Sequence, residues 1–241
     1  MSACRVKSLV HASVHPMIER ESVFALIAAL VGAVGCAGAG QSVTVAEASS
    51  GAEASSSESP SGDDDLFVSL PVGVSLRKPS SWHFMPTAWR SENLKNIDLE
   101  LAELVRKYAT EPLAIVTKYE ETTDSINPTF QLIFRPLGQL VNMSPEDVAS
   151  LAVRTMSQTV EDAEVVDDIE SLEISGHPAA HYAVKYTLRT STGDAFPTLA
   201  DAWIVKRGAY VFMLGGSGPP DGDDASRLEF EAMVRSIVIE P

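Results

Sequence analysis

Apolar and polar positions alternate most regularly between Tyr182 and Leu188, where Tyr182, Val184, Tyr186 and Leu188 are interleaved with Ala183, Lys185 and Thr187. That rhythm places every second side chain on one face of an extended strand. Shorter stretches read the same way. Val74–Lys78 is a strand closed by Pro79, and Trp82–Met85 is a second extended piece. Leu113–Tyr119, Phe130–Phe134 and Ala200–Val205 follow, and Lys206-Arg207-Gly208 turns the chain into Tyr210–Leu214. The last of these is apolar throughout, which suits a strand buried on both faces. Three segments instead carry apolar residues at helical spacing. Residues 87–107 bring Leu94, Ile97, Leu101, Leu104 and Val105 to one side. Ser144-Pro145-Glu146-Asp147 is a capping box with proline at the first helical position, and Val148, Leu151, Ala152 and Thr155 form the expected inner face. Ser226-Arg227-Leu228-Glu229 reads as a second capping box, ahead of Phe230, Met233, Val234 and Ile237. Hairpins among the late strands require an antiparallel sheet, and amphipathic helices must cover it. The expected class is therefore α+β, a twisted and mainly antiparallel sheet with helices on both faces.

The first 65 residues follow neither rhythm. Val23–Gly35 is an uncharged apolar run of 13 residues, preceded by Arg5, Lys7 and Arg20. A permanent membrane span needs ~20 residues, whereas the apolar region of an export signal takes ~7–15. Met17 offers a second possible start. The run leaves through Ala33-Val34-Gly35-Cys36, which resembles the lipobox of bacterial lipoproteins, with Ala33 where leucine is usual. That resemblance implies removal of residues 1–35 and attachment of acyl chains such as palmitate at Cys36. A plain secretory signal is the competing reading. From Ala37 to Asp65 the chain is rich in Ala, Ser, Gly and acids and holds no aromatic residue. Such a composition cannot bury enough apolar surface to offset its ordering entropy. The expected organisation is a signal over 1–35, Cys36 with a disordered acidic tether to 65, and one domain over 66–241.

Composition then removes whole classes of function. The chain has 241 residues, 33 acidic against 18 Lys and Arg, and a net charge of -15. That balance argues against a nucleic-acid partner and against adhesion to anionic lipid through the protein surface. Cys4 and Cys36 are the two cysteines, too few for a zinc site or a disulfide framework. His177 and His181 are four apart, but Pro178 and the alternation beyond it make a helix improbable. On a strand they stand roughly 13 Å apart, too far to share a metal without a turn. Gly215-Gly216-Ser217-Gly218-Pro219 lacks the last glycine of a nucleophile elbow, and Asp221 occupies the third-glycine position of a phosphate loop. Residues Gly215–Asp224 are expected to be a connecting loop. No cofactor is implied.

The motifs in order resemble the PsbP-like fold of extrinsic photosystem subunits, bacterial lipoproteins and DcrB-like periplasmic proteins. Val72–Trp82 is similar to the family's opening Gly-to-Trp segment, Asn127–Phe134 to its middle strand, and Ile174–Tyr182 to its Gly-x-Pro-Ala turn. Ala209–Leu214 and the final helix close the resemblance, which covers about residues 70–239. It implies an α/β/α sandwich and no catalytic residue. Two functions compete. One is a cell-envelope lipoprotein, anchored on the extracytoplasmic side through Cys36, that binds a protein or ligand without catalysis. Its expected contact surface combines the helix at 87–107, with Glu100 and Glu103, and the loop Gly215–Asp224. The other is an envelope hydrolase using Ser217 with His177 or His181, which requires those side chains to meet.

Overall fold

A computed structural model describes residues 64–85, 112–120, 126–160, 162–189, 193–220 and 224–241. The signal, Cys36, the tether as far as residue 63 and the expected helix at 87–107 lie outside the described residues; Asp65, expected to end the tether, instead belongs to the domain, its carbonyl accepting from the Lys78 amide at 2.9 Å and its carboxylate from the Ser80 hydroxyl at 2.7 Å. Seven strands form the main sheet: β3 (His83–Met85), β4 (Ala114–Thr117), β5 (Thr129–Pro136), β6 (Glu164–Ile174), β7 (His177–Arg189), β8 (Ala195–Arg207) and β9 (Tyr210–Gly218). Their spatial order is β3-β4-β5-β9-β8-β7-β6, and every neighbouring pair is antiparallel. A small second sheet joins β1 (Leu66–Ser69), β2 (Val74–Arg77) and β10 (Val238–Ile239). Two helices complete the described structure: α1 (Pro145–Thr159), preceded by a 3-10 turn at Gly138–Asn142, and α2 (Asp224–Ser236).

Local chemistry accounts for the connections. The β6–β7 hairpin turns on Ser175 and Gly176 at φ 52° and 78°, the left-handed pair that matches strand twist in a two-residue turn. The capping box opens α1 as expected. The Ser144 hydroxyl accepts from the Asp147 amide at 3.1 Å, and the Asp147 carboxylate accepts from the Ser144 amide at 3.2 Å. Lys206 closes the 3-10 turn by donating to the carbonyls of Val141 and Met143 at 2.7 and 2.8 Å. Arg207 ties the two sheets, donating to the carbonyls of Val72 and Glu240 at 2.9 and 3.1 Å.

Burial on β8 alternates between two clusters. Ala200, Ala202 and Ile204 pack with Tyr182, Val184, Met213 and the α1 residues Val148, Ala149, Ala152 and Met156. Trp203 and Val205 pack with Phe130, Phe212, Leu214 and the α2 residues Phe230, Met233 and Val234. The buried stripe of α1 is thus rotated from the expected one: Ala149 and Met156 are buried, while Leu151 and Thr155 are only partly so.

Three sequence expectations are corrected here. Gly215–Gly218 is not loop but the buried end of β9, paired with β5 on one side and β8 on the other. A run of glycines around a serine reads locally as a turn, and only its two partner strands hold it extended. The last helix begins at Asp224, so Ser226 lies inside it and does not cap it. Strand β2 belongs to the small sheet with β1 and β10, neither of which stands out in the sequence pattern.

Candidate functional site

Asp201 interrupts the apolar run of β8, and its side chain is 2% exposed. A carboxylate so placed needs charged partners. Arg227 of α2 supplies one, donating through Nε and Nη2 to Asp201 Oδ1 at 3.1 and 2.9 Å. The same Nη2 reaches Asp167 Oδ2 on β6 at 2.6 Å. Asp167 sits between two register irregularities of the β6–β7 ladder, the kind of bulge that re-aims a side chain. His181 of β7 is the second partner of Asp201, with Nε2 2.9 Å from Asp201 Oδ1 and its ring stacked 4.8 Å from that of Trp203. Partial burial alone would lower the basicity of Arg227, but the Asp167 hydrogen bond and the Asp201 charge outweigh it and hold the guanidinium more basic than usual. The cluster therefore joins α2 to β6, β7 and β8 through one buried charge.

Docking of α2 also depends on Gly216. A Cβ there would lie 2.5 Å from Phe230 Cγ, so only glycine admits the ring. Phe230 in turn stacks on Phe130 at 6.1 Å and meets the edge of Trp82 at 5.7 Å.

Because Gly216 faces Phe230, its neighbours Gly215 and Ser217 face the other side of the sheet, together with Ala200 and Ala202. Ser217 is thereby separated by the sheet from His181 and Asp201. It pairs with Ala200 and Thr129, whereas Asp201 pairs with Gly216 and His181 with Trp203. This overturns the hydrolase arrangement with His181, since serine and acid–base pair stand on opposite faces. His177 opens β7 four residues before His181, in a continuous strand with no turn after Gly176. At ~3.3 Å per residue the two rings do not converge, and His177 shares the face of His181 rather than that of Ser217. Among the described residues no group of three or more His, Cys, Asp or Glu side chains is placed to hold a metal.

A different set of polar groups comes together on the Ser217 face. Gln131, Gly215, Ala202 and Tyr182 form one register row across β5, β9, β8 and β7. Thr129, Ser217, Ala200 and Val184 form the next, and Thr198 pairs with Tyr186 beyond it. Both threonine hydroxyls donate to nearby carbonyls, Thr129 to Asn127 and Thr198 to Phe196. The amide nitrogen and oxygen of Gln131 and the hydroxyls of Tyr182, Tyr186 and Ser217 are buried and meet no hydrogen-bonding group among the described residues. An unmet buried polar group costs about 1–3 kcal/mol, so such a set is expensive in a purely structural core. Burial raises both phenols above their ordinary pKa, which keeps them neutral. Sequence reading singled out Ser217 and His181 but missed their surroundings. The available signals were single polar residues inside apolar strands, Gln131 between Phe130 and Leu132 and Asp201 between two alanines.

No family model matches the chain. No curated protein matches it either. Similar solved structures include LpqN of Mycobacterium tuberculosis, described as involved in cell envelope biogenesis, at 13% identity and TM-score 0.44 over 70% of this chain and 83% of that one. A cyanobacterial PsbP from Synechocystis matches at 13% and 0.44, over 76% and 96%. The Ran-binding protein Mog1p of Saccharomyces cerevisiae matches at 9% and 0.45, over 73% and 95%. Likenesses of this order assign neither family nor activity.

Proposed function

We propose that the protein is a cell-envelope lipoprotein, anchored on the extracytoplasmic side of a membrane by acyl chains on Cys36, whose PsbP-like domain binds a protein or ligand without catalysis. The observation that carries the anchor is the apolar run Val23–Gly35 ending at Cys36 and followed by the aromatic-free acidic tether. Acylation at one cysteine, with diacylglycerol and an amide-linked chain, supplies more than the single chain that binds membranes only reversibly. A chain of this composition from Ala37 to Asp63 would reach roughly 25–30 Å, enough to hold the domain clear of the headgroups.

Three features support the PsbP-like α/β/α reading. The opening motif places Gly73 at φ 66° in the β1–β2 turn and buries Trp82 against Phe230. The Ile174–Tyr182 motif forms the β6–β7 hairpin. The two alternating clusters on β8, one containing α1 residues and the other α2 residues, are what an α/β/α arrangement calls for. Binding is favoured over hydrolysis because Ser217 and His181 are separated by the sheet and the Asp201 carboxylate is already engaged by Arg227. The segment expected to form a helix over 87–107, with Glu100 and Glu103, remains the proposed contact for an envelope protein partner; charge reversal of both should weaken its capture without changing the melting temperature. Intact-mass measurement of membrane-extracted protein tests the anchor. The expected species begins at an acylated Cys36, and an unmodified thiol there, or retention of residues 1–35, overturns the reading.

A further inference from the structure

We infer that the outer edge of β6 is a docking site for an extended, lysine-bearing segment of a partner protein, which joins the main sheet as a further strand beside Glu170–Ile174. This goes beyond the binding function proposed above and depends neither on the anchor at Cys36 nor on residues 87–107.

β6 stands last in the strand order β3-β4-β5-β9-β8-β7-β6, and among the described residues it pairs with β7 alone. Its two halves differ. Register irregularities between Val165 and Asp167 and between Asp167 and Glu170 bend the first half, a device that spoils an edge for pairing. From Glu170 to Ile174 the register with β7 runs unbroken, so this half offers a straight edge. The turn at Ser175 and Gly176 fixes which backbone groups it presents. In a two-residue hairpin the pair beside the turn, here Ile174 and His177, exchanges both its hydrogen bonds, and the pairs alternate from there. Glu170, Leu172 and Ile174 therefore direct their amides and carbonyls to β7, whereas those of Ser171 and Glu173 point away from it. Both of these residues are exposed.

Side chains along this edge select the occupant. β6 carries Glu164, Asp167, Asp168, Glu170 and Glu173 and no Lys or Arg. Arg227 engages Asp167, and His181, which stands opposite Glu170, is turned to Asp201. Glu146 of α1 adds an acid beside the edge, accepting from the Ser171 hydroxyl at 2.6 Å. A second copy presenting the same edge would set acid against acid, which disfavours pairing of β6 with itself. Lysines opposite Glu170 and Glu173 turn that repulsion into attraction. Leu172 shares the face of Glu170 and is half-buried against the cluster that holds Ala179 and Trp203, so an apolar residue opposite it extends that cluster by one strand. Backbone bonds at Ser171 and Glu173 supply affinity in this mode of recognition, and the alternating side chains supply specificity.

The probe is the capped peptide Thr-Val-Lys-Val-Thr-Lys-Thr, which in antiparallel register sets its lysines opposite Glu173 and Glu170 and its second valine opposite Leu172. Titration of the full chain in neutral detergent with millimolar peptide should shift the NMR signals of the Ser171 and Glu173 amides saturably. Two control peptides separate strand addition from charge attraction. Glutamate in place of both lysines reverses the charge, and proline in place of the internal threonine keeps the charge but removes a pairing N–H; each should bind about tenfold more weakly. Glu173→Pro removes an outward N–H and no bond to β7, so it should keep the parent's melting temperature and bind the peptide about tenfold more weakly. Glu173→Gln keeps the N–H and should weaken binding only about two- to fivefold, a loss that closes at high salt. The proline peptide needs no change in the protein, so its result stands whatever Glu173→Pro does to the fold. The inference is overturned if the two amides do not shift, or if the proline peptide binds as well as its parent. It is also overturned if the chain by itself forms a dimer that Glu173→Pro dissociates, because the edge would then belong to a second copy.

Discussion

Substituting Gly216 with alanine tests how α2 is seated, and the structure sets the size of the effect. The new methyl would lie 2.5, 2.6 and 3.0 Å from Phe230 Cγ, Cδ2 and Cδ1. Real contacts of that kind do not fall below 3.0 Å, so ring or helix must move. Phe230 is 3% exposed and its ring contacts both Phe130 and Trp82, so any shift disturbs two other buried rings. Overpacking at a confined site costs about 1–3 kcal/mol. For a domain of this size that lowers the melting temperature by about 3–10 °C. The neighbouring Gly215→Ala is the control, since its methyl reaches nothing closer than 3.7 Å. It removes backbone freedom from the unfolded chain and should be neutral or stabilising by up to about 1 kcal/mol. Thermal melts followed by circular dichroism, with urea unfolding as a check, separate the two. Phe230→Leu in the Gly216→Ala background should recover part of the loss, giving a coupling between the sites. If Gly216→Ala melts with Gly215→Ala, or if the double variant shows no coupling, α2 does not seat on Gly216 and the aromatic contact is misassigned.

Arg227→Met should destabilise the fold by about 1–3 kcal/mol: removing one partner of a buried charge costs more, but His181 remains and Arg227 is 38% exposed. Asp201→Asn in the same background should return part of that loss in urea unfolding, and a strictly additive pair would refute the cluster. Ser171 donates to Glu146 Oε1 at 2.6 Å, and this bond, first among the causes, holds the Glu146 carboxyl below its ordinary range. Its contribution is then present above the unfolded value of 4.5 and lost as pH falls through the folded value. The stability gap between parent and Ser171→Ala should accordingly close on acidification, and a gap independent of pH would argue against the bond.

Several features were written in short stretches of sequence because their causes are short-range. The α1 capping box, the β8–β9 hairpin and the period-two pattern of β7 each depend on residues within a few positions, and each is present, though the hairpin turns at Gly208-Ala209 with Lys206 and Arg207 still in the strand. Central placement of β9 was legible too, from its unbroken apolarity. The acidic excess and the apolar run ahead of Cys36 are likewise properties of composition and order alone.

Only tertiary structure decided the rest. Gly215–Gly218 has the local chemistry of a loop, and it becomes strand because β5 and β8 offer hydrogen-bonding edges on both sides. His181 gains its meaning from Asp201, 20 positions away, and from Arg227 on a helix that follows two further strands. The separation of Ser217 from that pair follows from strand parity: adjacent residues of an extended chain point to opposite faces, so Gly216 joins the Phe230 side and Ser217 the other. Gln131, Tyr182, Tyr186 and Ser217 come from three strands, and a linear pattern does not disclose which strands become neighbours. Periodicity tells which side a residue takes within its own strand; the order β5-β9-β8-β7 decides which residues share it.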